Sequence, residues 1–288
     1  MKSSYLRNHW SSWRLVSLCL IIATIITGCG SGVGDGTSAG VGTGGTGTVV
    51  ASIAGTVADG YLVNATVFLD KNGNYQLEAG EPSTTTDAHG DYKLNIDPAD
   101  VGKYPIVAHV IKGVTIDKDT NQAVTNSYVL SMPKDNVSGS ASNNFISPIS
   151  SQIREMMETG KFTTLQQATE ALRTRMGLPA GTDMMADYIA ANNTAMHYAA
   201  QNMVTLMGNQ MGQVMGMNGS TITVDVNRYR SMMGTIFINM SIISAANNQT
   251  DMSNLNSTLT TMLFNMPMAF AGQPYRNMST AYWGMIGR

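Results

Sequence analysis

Two hydrophobic periods divide the chain. From residue 50 to about 137, apolar positions recur every second residue. Ser52–Val57 alternates, Asp59-Gly60 marks a turn, and Leu62–Leu69 alternates again with Val63, Ala65, Val67 and Leu69 on one face. Tyr92, Leu94 and Ile96 share the inward face of Asp91–Ile96, and a turn at Ala88–Asp91 precedes them. Pro105–Ile111, Val114–Ile116 and Tyr128–Met132 read as further strands, with Asp117–Gln122 as a turn between the last two. Short alternating strands at this spacing predict a small β-sandwich. Residues 138–146, rich in Ser and Asn, read as a linker. Beyond them the period becomes that of a helix.

Ser147-Pro148 opens a helix to Glu158 that Gly160 stops, and Thr164 with Gln167 forms a capping box for a second helix to Met176. Thr182 or Asp183 is placed to cap a long helix to about Met215, which Asn218-Gly219-Ser220 breaks. Arg228–Ala246 and Asp251–Met266 complete the set. Four to six helices with short connections predict a helical bundle. The expected fold class is therefore α+β and modular, a β-sandwich over 50–137 followed by an α-helical domain over 147–288.

The N-terminus follows neither period. Lys2, Arg7 and Arg14 precede the twelve-residue apolar run Leu15–Ile26. That run is shorter than the roughly 20 residues a membrane-spanning helix needs, and it suits the apolar core of a secretory signal. It ends in Ile26-Thr27-Gly28-Cys29, which resembles the lipobox of bacterial lipoproteins. The resemblance implies cleavage after Gly28 (a signal peptide over 1–28), acylation of Cys29 by palmitate and related chains, and a cell-envelope protein anchored to a membrane. Gly30 stands where enteric lipoproteins kept at the inner membrane carry Asp, so the resemblance points to the outer membrane. Residues 29–49 are Gly-rich and aperiodic, a tether in which the twenty residues Gly30–Val49 reach about 25 Å.

Composition narrows the function. Of the two cysteines, Cys19 lies in the signal and Cys29 at the anchor, so no thiol remains for a disulfide or a nucleophile. Without residues 1–28 the chain carries 14 basic and 19 acidic residues, a net charge of −5. That balance opposes nucleic-acid binding, which needs a basic face.

The densest polar chemistry lies in Asp70-Lys-Asn-Gly-Asn-Tyr-Gln-Leu-Glu-Ala-Gly-Glu81. Asp70, Asn72, Asn74, Glu78 and Glu81 take positions 1, 3, 5, 9 and 12 of a twelve-residue loop. Gln76, at position 7, offers a backbone carbonyl. This is the oxygen-ligand spacing of a calcium loop. Tyr75 rather than Gly at position 6, and strands rather than helices on either side, set it apart from an EF-hand. The segments Ala54–Gly60, Ala65–Asp70, Asn72, Gly80-Glu-Pro82 and Thr86–Tyr92 resemble prealbumin-like modules. These include carboxypeptidase-regulatory-like domains and the B-type repeats of Gram-positive surface adhesins. The resemblance covers about residues 51–97. It implies that the loop binds calcium and stiffens the module, and two Asn ligands imply modest affinity. Phe145–Ser151 and Thr164–Asp183 are similar to helical segments that follow such modules in secreted bacterial proteins, which adds the domain order and no activity.

Methionine, at 22 residues, is the other anomaly. Met203, Met207, Met211 and Met215 fall at i, i+4, i+8 and i+12, with Met184, Met185 and Met196 upstream and Met232, Met233, Met240, Met262, Met266 and Met268 on later helices. Thioethers suit Cu(I), but this spacing is above all that of an adaptable helix core. Copper is accordingly not the expected cofactor. His9, His89, His109 and His197 are scattered, and no HExxH, GxSxG or phosphate-loop spacing occurs. No catalytic constellation emerges. The sequence thus leads to a lipid-anchored envelope protein, not an enzyme, whose calcium-stiffened β-module acts as scaffold, adhesion or interaction component with an envelope or surface partner. A soft-metal or small-ligand carrier built on the Met-rich helices is the alternative.

Overall fold

The computed structural model describes residues 50–139, 144–218, 221–245 and 249–266. The signal and lipobox (Cys29 included), the tether and Met268 lie outside the described residues. The fold is mixed α+β, with several small sheets and six helices among the described residues.

A four-stranded antiparallel sheet has the order β4 (Ser83–Thr85), β3 (Thr66–Leu69), β6 (Ile106–Val110), β9 (Tyr128–Met132). A three-stranded sheet has β1 (Ala51–Val57) at its centre, with β5 (Asp91–Ile96) antiparallel on one side and β10 (Phe145–Ile146) parallel on the other. In β5 exposure alternates strictly, with Tyr92, Leu94 and Ile96 inward, as the two-residue period requires. β6 and β9 are buried along their whole length, which marks strands covered on both faces. A third sheet joins β2 (Leu62–Val63), β7 (Ile116–Asp117) and β8 (Gln122–Ala123). The run expected as one strand from 62 to 69 is two, because Asn64 takes a left-handed φ of +62°. Asn is among the few residues that enter this region at low cost.

Helix α1 (Pro148–Glu158) begins where Ser147 predicts. The Ser147 hydroxyl accepts from Ser150 N–H while the Ser150 hydroxyl accepts from Ser147 N–H. Thr164 caps α2 (Leu165–Arg175) by accepting from Gln167 N–H, and the Gln167 side chain turns to Thr163 instead of closing the box on Thr164. The long helix expected from residue 183 begins only at α3 (Thr194–Val214). Asp183 and Asp187 accept from N–H groups two or three residues on. That local bonding competes with a helix, and Asn193 is the cap that opens α3. Past α3 the expected break is a hairpin, β11 (Met215–Asn218) with β12 (Thr221–Val224). Asn239 divides the next helix into α4 (Val226–Ile238) and α5 (Met240–Ala245), and α6 (Gln249–Asn265) closes the described chain.

The described residues cluster as one compact unit, and one hydrophobic core runs through the β and helical halves alike. Where the sequence marks a linker at 138–146, β10 completes the sheet of β1. Buried Asn144 donates to Ala54 O and Ser138 O and accepts from Ser138 N–H. α1 lies along β9: Ser151 Oγ accepts from Ser131 N–H at 2.8 Å and Ser150 Oγ donates to Ser131 O at 2.7 Å. The edge of the larger sheet is thus capped by the start of the helical half, which is one physical answer to an exposed strand edge.

Candidate functional site

The twelve-residue loop leaves β3 at Asp70 and turns back on that residue. Asp70 Oδ1 accepts from Gly73 and Asn74 N–H at 2.9 and 3.1 Å, and Oδ2 from Tyr75 N–H at 3.3 Å. Gly73 and Tyr75 both take positive φ. For tyrosine this is a strained conformation worth on the order of 1 kcal/mol or more, so something must hold the ring. The ring is fully buried. The guanidinium of Arg154 stands 4.0 Å over it and the ring of Tyr229 lies 4.8 Å away, while its hydroxyl donates to Glu155 Oε1. The outer loop closes similarly on its own donors. Glu81 accepts from Lys71 and Glu78 N–H, and Glu78 from the amides of Asn72 and Asn74. Asn72 Oδ1 accepts from Asn74 N–H, and Asn74 Oδ1 from Gln76 N–H.

The structure therefore gathers Asp70, Asn72, Asn74, Gln76, Glu78 and Glu81 into one loop, but the side-chain oxygens of Asp70, Asn72, Asn74, Glu78 and Glu81 accept from the loop's own N–H groups. At position 1, where a calcium loop needs its first carboxylate on the ion, Asp70 Oδ2 instead meets Arg154 Nη2 at 2.9 Å. A fixed guanidinium against that oxygen does not fit a divalent cation. Among the described residues no three His, Cys, Asp or Glu side chains stand ready-made as a metal-ligand set.

Beneath the loop is a buried ionic cluster that the sequence reading passes over. Arg154 and Glu155 come from α1, and both are 1% exposed. Arg230 from α4 stands 3.4 Å from Glu155 Oε2 and donates to Glu158 Oε2 at 3.3 Å. Burial pushes Glu155 up to about 8, against the pull of Arg230 and with the push of Glu158 and Asp70. Burial thus favours the neutral form of Glu155 beside the two guanidinia. His109, one of the scattered histidines, is buried on β6, where its Nε2 pairs with Tyr75 O at 2.7 Å and its ring meets Phe68 edge-on at 4.8 Å. Burial lowers it to about 4, leaving a neutral ring at pH 7. The available signal was Arg154-Glu155 set among Ile149, Ile153 and Met156, in a chain with only 12% charged residues. Such a pair inside an apolar stripe requires internal partners.

Asp70, Arg154 and Glu155 are closed to solvent, so no substrate reaches them. The cluster ties α1 to the loop through Arg154 and Asp70, and α4 to α1 through Arg230. Three residues of the methionine stripe are core: Met203, Met207 and Met211, like Met196, Met232, Met233 and Met240, are each 2% exposed or less, while Met215 is only partly buried and opens β11. An open groove of about 940 Å³ lies beside α2, α4 and α5, its lining including Phe162, Phe237, Lys161 and Arg175. Among the described residues, no helix is long and apolar enough to cross a membrane.

The chain matches no protein-family model, no curated protein and no solved structure.

Proposed function

We propose that the protein is a lipid-anchored component of the cell envelope. A prealbumin-like β-module and a Met-rich helical domain act together as one rigid scaffold or interaction head on a Gly-rich tether. The ordered series of basic residues, apolar run and Ile26-Thr27-Gly28-Cys29 supports the anchor. The observation that carries the scaffold role is the inward commitment of the acidic loop, whose first carboxylate binds Arg154 of α1. Such a loop holds two halves together and offers nothing to a substrate. In this reading the Arg154 guanidinium takes the part at Asp70 that the loop's spacing assigns to calcium. The groove beside α2 and α5 is the face on which an envelope partner would bind.

Labelling cells with radioactive palmitate tests the anchor. The full chain incorporates label and partitions with outer membranes, and Cys29→Ser abolishes both. Label-free wild-type protein would overturn the anchor. For the scaffold role, limited proteolysis of the full chain should leave residues from about 50 onward as one resistant fragment. Separate β and helical fragments would overturn it.

A further inference from the structure

The groove beside α2 differs in charge from the chain as a whole. Its lining extends from Lys161, ahead of α2, to Arg175, the last residue of that helix. Arg175 is seated on Phe237: its guanidinium lies 4.7 Å over the ring, and its Nη1 donates to Ile238 O at 2.6 Å. Among the described residues no carboxylate forms an ion pair with Arg175. Glu170, the carboxylate in the lining, is taken by Arg173, which donates to it from Nε at 2.8 Å and from Nη2 at 2.5 Å. Lys161, Arg173 and Arg175 therefore stand against one carboxylate here, whereas the whole chain has 17 basic and 19 acidic residues.

Two of these cations have a local reason to be there. Arg173 and Arg175 occupy the last turn of α2, where the helix dipole favours positive charge. Lys161 has no such reason, because it precedes the same helix at the end where the dipole disfavours a cation. Its Nζ stands 5.9 Å from the centroid of the Phe162 ring, and Phe162 meets Phe237 edge-on at 6.2 Å. The lining thus pairs a cation with an aromatic ring twice, Lys161 with Phe162 and Arg175 with Phe237. The eleven residues of α2 extend about 16 Å, a distance that about five residues of extended chain cover. An open groove of this length admits a chain lying along it, whereas a small ligand needs a site that encloses most of its surface.

We propose that this groove binds an acidic peptide segment of an envelope partner, one that carries aromatic side chains among its carboxylates. The carboxylates meet Lys161 and Arg175, and the aromatic side chains lie against Phe162 and Phe237. Complementary charge of this kind sets orientation and association rate, while aromatic contact holds the segment in place. The inference rests on the interaction-head reading above and specifies the chemistry of its partner.

The test is fluorescence anisotropy of the full-length protein with three labelled nonapeptides, which repeat Glu-Glu-Phe, Lys-Lys-Phe and Glu-Glu-Ala. The first binds saturably and more tightly than the other two, and its binding weakens as salt rises. Lys161→Glu weakens it roughly five-fold, the scale of one partly exposed ion pair. Lys112→Glu makes the same charge change outside the groove lining and leaves binding unchanged. Both variants keep the wild-type circular dichroism spectrum. Absence of saturable binding by the Glu-Glu-Phe peptide would overturn the proposal. So would binding indifferent to salt, equal binding of either other peptide, or equal loss in the two variants. Binding of phosphatidylglycerol vesicles that the peptide does not match, lost in Lys161→Glu, would place a lipid surface there instead. If the peptide fails while residues from about 50 onward remain one protease-resistant fragment, this inference falls and the rigid scaffold stands.

Discussion

Asp70 and Arg154, 84 positions apart, form an ion pair at 2.9 Å with side chains 0% and 1% exposed. The contact joins the loop that leaves β3 to the middle of α1. Arg154 also covers the Tyr75 ring, so one guanidinium meets both a charge and a strained backbone position.

Removing one member of a buried pair leaves the other charged without a partner, at a cost of about 3–5 kcal/mol. Arg154→Met should therefore destabilise the protein by about that much in urea unfolding. Adding Asp70→Asn to it should cost less than the two single changes together. Additive costs would mean that the pair contributes no coupling.

Glu155 gives the stability a pH dependence. Its ordinary value is 4.5 and the folded value is about 8, so the native state holds a proton that the unfolded chain releases. This contribution is complete below about pH 4.5 and is lost as pH rises to about 8. The slope is at most about 1.4 kcal/mol per pH unit. The groups facing Glu155 are Tyr75 from the loop, Arg154 and Glu158 on α1, and Tyr229 and Arg230 on α4, with Asp70 beyond. His109 acts in the opposite sense: depressed from 6.5 to about 4, it contributes above pH 6.5 and is lost as pH falls toward 4. Urea midpoints measured from pH 6.5 to 8.5 should thus fall in wild type and fall less in Glu155→Gln. Parallel slopes would remove Glu155 as the cause.

Gly55 tests the join between the halves. A Cβ there would lie 2.0 Å from the backbone oxygen of Asn144 and 2.8 Å from Tyr92 Oη. Neither gives way without parting β10 from β1. Gly55→Ala should cost about 3 kcal/mol, the upper end for an overpacked site. Gly113→Ala, at φ +73° with open space around it, should cost only about 1 kcal/mol of backbone strain. Equal costs would mean that the parallel pairing of β1 with β10 is not holding the unit together.

Much of this architecture was legible wherever a local rule dominates. Ser147 and Thr164 cap the helices they were expected to cap, and the alternation of Tyr92, Leu94 and Ile96 identifies a half-buried strand. The acidic loop was legible as a loop but not in its wiring. Asp70 and Arg154 have no signature linking them in sequence, and spacing alone cannot distinguish a carboxylate facing a cation from one facing a guanidinium. The change of period at residue 147 suggested separate domains. Phe145-Ile146 is too short to show periodicity, so its pairing with β1 is set only by tertiary contact. Asn64 and Asn239 interrupt elements through backbone conformations that an uninterrupted apolar pattern conceals.

The methionine stripe yields the last prediction. Met203, Met207 and Met211 on α3 are 0%, 0% and 2% exposed, packed where an unbranched side chain fills irregular space. Among core changes, Met→Leu nearly conserves volume and should cost less than about 1.5 kcal/mol. Met207→Ala leaves a cavity and should cost about 2–5 kcal/mol. A metal-carrying role would give a different pattern: Met207→Leu with Met211→Leu would leave stability near wild type yet abolish tight Cu(I) binding. For a packing role, Cu(I) leaves Tm unchanged in both proteins, and the double Leu variant melts close to wild type. Melting curves with and without Cu(I) decide between them, because a thioether lost to leucine removes the ligand and keeps the core.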